Sequence, residues 1–78
     1  MISSAQIRAG RGMLGWTQEL LAYRAGVALP TVKNVERKKT DPRSSTMAKI
    51  ERAFDKAGVI FIDANTNRKG GAGVRFNV

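Results

Sequence analysis

Along residues 3–57 the apolar positions recur at spacings of three and four, and after residue 58 they fall into short β-type runs. The first spacing marks helices with one inward face and the second marks strands. Ser3 followed by Gln6 fits a capping box, opening a helix to about Leu14 on which Ile7, Arg11 and Leu14 share a face. Gly15 stops it, and Gly10 and Gly12 are places where a neighbouring helix can approach closely. Thr17 caps a second helix from Gln18 to about Ala25, with Leu21, Ala22 and Ala25 inward, Leu20 outward and Gly26 as its left-handed stop. A third helix begins near Leu29. Pro30 suits its first turn, where a missing N–H costs nothing. Val32 and Val35 face the core, leaving Leu29, Pro30, Thr31, Lys33, Asn34 and Arg37 outside. Lys38 to Arg43 reads as a loop, followed by a fourth helix from about Ser44 to Ala57 with Met47, Ile50 and Phe54 inward. Val59–Ile62 and Val74–Val78 then read as the two strands of a β-hairpin, joined across a Gly/Asn-rich loop.

The expected fold is therefore mainly α, four helices with a C-terminal hairpin. The expected organisation is a helical domain over residues 1–58 and a tail over 59–78. An isolated hairpin is marginal in water, so its apolar residues need either the helical core or a second subunit. Val59, Phe61, Val74 and Phe76 are the candidates for that role, with dimerisation the favoured reading.

Composition adds a direction. Lys and Arg number 14 against 6 Asp and Glu in 78 residues, a formal net charge of +8. Lys33, Arg37, Lys38, Lys39 and Arg43 crowd around the end of the third helix. Two short helices across a tight glycine turn is the layout that presents a helix to the DNA major groove, and the positive charge fits a polyanionic partner. With no Cys and no His, a thiolate or imidazole metal site and an ordinary general base are excluded, and the six acids show no metal or acid/base spacing. The reading is of a protein without catalytic residues, metal or cofactor. No signal peptide and no apolar run of membrane-spanning length is evident, which leads to an expected cytoplasmic, nucleoid-associated location and no membrane partner.

From Ile7 to about Gly58 the chain resembles the Cro/C1-type helix-turn-helix regulators of bacteria and phages. The resemblance rests on Arg11, on Leu14-Gly15-Trp16-Thr17-Gln18-Glu19 leading into Leu21-Ala22, and on Ala25-Gly26-Val27. It continues through Thr31-Val32, Val35-Glu36, Pro42, Met47 and Ile50. It implies a lambda-repressor-like fold whose helix from Leu29 enters the major groove. Gln18 then reaches the phosphate backbone or a base near it, and Arg11 and Glu36 form a buried structural ion pair. Two positions depart from the pattern. Ala28 stands where a capping Ser is common, and Leu29 and Pro30 replace polar base readers. Leu29 and Pro30 could touch only a thymine methyl, so base reading falls mainly to Lys33, Asn34 and Thr31. Thr17, Gln18, Arg37, Lys38 and Lys39 are the candidates for backbone contact, which positions without specifying. Solvated surface is the alternative for each of these, and for Arg24. Trp16 is read as a partly buried anchor and Tyr23 as half-buried surface.

The function expected is a dimeric, sequence-specific binder of double-stranded DNA, a repressor on an inverted-repeat operator, with no small-molecule ligand. The alternative is an antitoxin-type interaction protein that binds a partner toxin and autoregulates its operon. Contact with polymerase is a further possible protein partnership.

Overall fold

The computed structural model of the chain describes residues 2–37, 44–62 and 72–77. These form helices α1 (Ser4–Leu14), α2 (Gln18–Ala25), α3 (Leu29–Glu36) and α4 (Ser44–Lys56), then strands β1 (Val59–Ile62) and β2 (Gly73–Phe76). The mainly helical class with a small antiparallel sheet is as the periodicity predicts.

Local chemistry sets the helix ends. Ser3 Oγ accepts from the Gln6 N–H at 3.1 Å while Gln6 Oε1 accepts from the Ser3 N–H at 2.8 Å, the reciprocal capping box. Gly15 closes α1 at φ 66° and Gly26 closes α2 at φ 72°, in the left-handed region where a β-carbon is strained. Thr17 Oγ1 accepts from the Leu20 N–H at 3.0 Å and so starts α2. The loop expected at residues 38–43 lies outside the described residues, as does most of the hairpin connection.

Phe54 is the centre of the core. It is fully buried, stacks on Trp16 with centroids 5.6 Å apart, and meets Phe61 edge-on at 5.2 Å. Ile7, Leu21, Val32 and Ile50 are likewise fully buried around it. The two internal glycines of α1 then part company. A β-carbon on Gly10 would sit 3.0 Å from the Phe54 ring, whereas one on Gly12 would meet nothing within 4 Å. Close approach explains Gly10 alone.

Helix α2 packs against both α3 and α4, while α1 lies against α3 and β2. The hairpin is joined to this body. Its register pairs Val59 with Phe76 and Phe61 with Val74, which places all four on one face of the sheet. That face turns inward: Val59 is 1% exposed, and Phe61 and Val74 pack against the core. This corrects the expectation that the four form a free dimerisation surface. Val59 belongs to the protomer's own interior, Phe61 and Val74 are largely committed to it, and only Phe76 is exposed. Gln6 secures the other end of the hairpin, its Nε2 donating to both the Ile62 and Gly73 carbonyls at 3.0 Å.

Candidate nucleic-acid interface

Helix α3 has a starved first turn. Ala28 offers no capping side chain, as expected. Two features soften the loss. Pro30 brings no N–H to satisfy, and the Thr31 N–H donates to the Ala28 carbonyl at 3.0 Å. Val32 and Val35 are buried on the inward side, with Glu36 beside them. The opposite side carries Pro30, Lys33 and Arg37, all exposed and at spacings of three and four, so that they share one stripe. Thr31 and Asn34 flank it half-buried. Leu29 packs partly against the core, which reduces the apolar surface it can offer a base. Lys38 and Lys39 lie outside the described residues.

The C-terminal end of α3 lacks a glycine stop, and α1 holds it instead. Ser4 Oγ donates to the Val35 carbonyl at 2.6 Å, and Arg8 donates to the Glu36 carbonyl. Arg11 forms a fork with the Glu36 carboxylate, Nε to Oε2 at 2.8 Å and Nη2 to Oε1 at 2.9 Å, and Nη1 reaches the Trp16 carbonyl at 3.0 Å. Glu36 is almost wholly buried while the Arg11 side chain keeps 23% of its surface. The hydrogen bonds to Glu36 push the Arg11 pKa above its ordinary value; burial opposes the rise and the carboxylate's charge adds to it. Such planar, two-point pairing fixes direction as well as distance.

Gln18 completes the cluster. Its Nε2 donates to Glu36 Oε1 at 3.2 Å, so its amide faces the ion pair rather than standing free in solvent. Thr17 uses an acceptor lone pair for capping, which leaves its O–H a possible donor. The structure thus brings Arg11, Gln18 and Glu36 together and sets Lys33 and Arg37 on the outward side of the element they hold. Ser4 and Arg8 were missed by sequence reasoning. Nothing local marks Ser4, but Arg8 stands one turn before Arg11 and that spacing was a legible signal. One further correction concerns α2: Tyr23 is 82% exposed, not half-buried. Arg24 is exposed, as its surface reading has it, and lies over the Trp16 ring with its Cζ 5.4 Å from the centroid.

Two short helices packed together across a glycine turn, with an outward cationic face on the second locked from behind, define a DNA-binding unit. Residues 7–59, more than half of the chain, match the helix-turn-helix family, and the chain belongs to its Cro/C1-type regulators. At that general level it is a DNA-binding transcriptional regulator. No individual curated protein matches the chain. Among the described residues no helix is long and apolar enough to cross a membrane.

Proposed function

We propose that this chain is a sequence-specific repressor that acts without catalysis, binding an inverted-repeat operator as a homodimer and competing there with polymerase. The observation that carries the reading is the exposed Pro30–Lys33–Arg37 stripe on a helix whose back is buried and whose end is clamped by α1. A groove reader must hold its direction while carrying free donors, and α3 does both. In this reading Lys33 and Asn34 read base edges, with lysine suited to guanine O6/N7 and asparagine to adenine N6/N7. Thr31, Leu29 and Pro30 supply shape and methyl contacts. Thr17, Gln18 and Arg37 meet phosphates, with Lys38 and Lys39 extending the basic run in sequence. Gln18 would exchange its bond to Glu36 for a phosphate oxygen, or keep it and serve as a spacer.

Two units on a two-fold axis would set their α3 helices about 34 Å apart, one turn of DNA. Among the described residues of the two strands Phe76 is the exposed apolar one, and the half-buried Ile60 and Ile62 occupy the sheet's other face. These, with the edges of a two-stranded sheet, are what the tail has left for a second copy. The cytoplasm is the compartment this role requires.

Selection from random duplexes with the purified chain tests the proposal. Enrichment of an inverted repeat supports it, and a pool that stays random overturns it. On the enriched site Lys33→Ala should weaken binding by about 1–3 kcal/mol and relax one base position. Arg37→Ala should instead weaken binding to every duplex and lower the salt slope by about 1. Equal effects of both on random DNA would count against this division of labour.

A further inference from the structure

A second cationic surface lies between the C-terminal end of α2 and residues 49–56 of α4, and α3 contributes nothing to it. It is a groove of about 240 Å³ whose walls carry Arg24, Lys49, Arg52 and Lys56, all exposed. On α4 the three cations follow at spacings of three and four, which aligns them over a rise of about 10 Å. The acids of the same helix, Glu51 and Asp55, do not line the groove. They fall on another side of the helix by the same periodicity. The floor is made of small residues, with Ala25 and Ala53 buried there and Gly26 beside them. Tyr23 lines it too, 82% exposed, the more exposed of the two large hydrophobics at the surface among the described residues.

We infer that this groove is a docking site for an acidic segment of a partner protein. Charge complementarity sets the sign of the ligand. Shape sets its class: a DNA duplex is a convex rod broader than the groove, whereas an extended peptide of three or four residues, about 3.3 Å each, matches the row of cations. The small floor admits a peptide backbone, and exposed tyrosines are enriched at protein interfaces. Because the lining excludes α3, the segment can bind while Lys33 and Arg37 remain available to DNA. Arg24 reports on occupancy. Its guanidinium rests over Trp16, the single tryptophan of the chain, and a carboxylate that draws it away changes the indole's surroundings.

The test uses the full chain and a blocked peptide of alternating glutamate and leucine, with its glutamine counterpart as control. Trp16 fluorescence and amide shifts are followed at moderate salt, with and without one equivalent of a DNA duplex. The expected result is a saturable change for the glutamate peptide, with shifts confined to Tyr23–Gly26 and Lys49–Lys56 and kept when DNA is bound. Lys49→Glu combined with Lys56→Glu should weaken the peptide about tenfold with the thermal midpoint retained, and Tyr23→Ala should weaken it severalfold. Shifts centred on Lys33 and Arg37, equal binding of the glutamine peptide, or no binding overturn the proposal. Displacement of the peptide by the duplex overturns it too, and assigns the groove to DNA.

Discussion

Arg11 places all three guanidinium nitrogens on protein acceptors, two on Glu36 and one on the Trp16 carbonyl. Such a pair contributes direction more than stability, because desolvating two charges offsets most of their attraction. Removing one partner is different. Arg11→Met strands the Glu36 carboxylate in the core and should lower unfolding free energy by about 3–5 kcal/mol in urea titration. Arg11→Met with Glu36→Leu should recover most of that loss while DNA binding stays impaired, and a double variant as unstable as the single would contradict the account. The raised Arg11 pKa belongs to the folded state. Its contribution is therefore full below arginine's ordinary range and is lost only as pH climbs through the higher folded value. Gly10 and Gly12 give a second contrast. Both gain about 1 kcal/mol in helix propensity on changing to Ala. At Gly10 the new methyl meets a ring locked between Trp16 and Phe61, so Gly10→Ala should destabilise by about 1–2 kcal/mol net. Gly12→Ala, in open space, should stabilise by about 0.5–1 kcal/mol, both read by the same urea titration.

Element by element, the strongest local signals in the chain correspond to the observed ends. Ser3 with Gln6, Thr17, Gly15 and Gly26 each stand where a cap or a left-handed residue is needed, so the bounds of α1 and α2 could be read from side-chain chemistry. The helix α3 face was legible because Val32 and Val35 leave only one inward orientation. Long-range partners were not. Nothing local tells that Gln6, besides capping α1, also reaches two carbonyls of the hairpin, or that Ser4 reaches Val35. The hairpin's destination was hidden for the same reason: alternation shows that one face is apolar but not what covers it. After the turn at Gly58, Val59 joins the buried core and Phe61 meets Phe54 edge-on, a tertiary fact. Tyr23 was expected as half-buried surface, but Leu21, Ala22 and Ala25 alone fill the inward side of α2 and leave its ring without cover. Gln6→Glu tests the clamp on the hairpin. It keeps an acceptor for the Ser3 N–H but turns a carboxylate oxygen toward the Ile62 and Gly73 carbonyls. A loss of about 2–3 kcal/mol is expected, with faster hydrogen exchange of the hairpin amides than of α2. Uniform exchange across both elements would show that the clamp is not local.

For the whole molecule, the two halves of the chain serve one another. The hairpin closes the core that supports α1, and α1 holds the end of α3 in the direction a groove requires. The proposed dimer would then have to use what that packing leaves over. Phe76→Arg should weaken the dimer at least tenfold by analytical ultracentrifugation with little change in the unfolding midpoint, since Phe76 is 44% exposed in the protomer. An unchanged dimer would move the joint elsewhere. The central claim is that the outward side of α3 enters a major groove. Methylation interference on a selected operator addresses it most directly, because guanine N7 lies in the major groove and adenine N3 in the minor groove. The account predicts that N7 methylation blocks binding in two clusters about one helical turn apart while N3 methylation has little effect. Interference confined to N3, or none at either position, would contradict it.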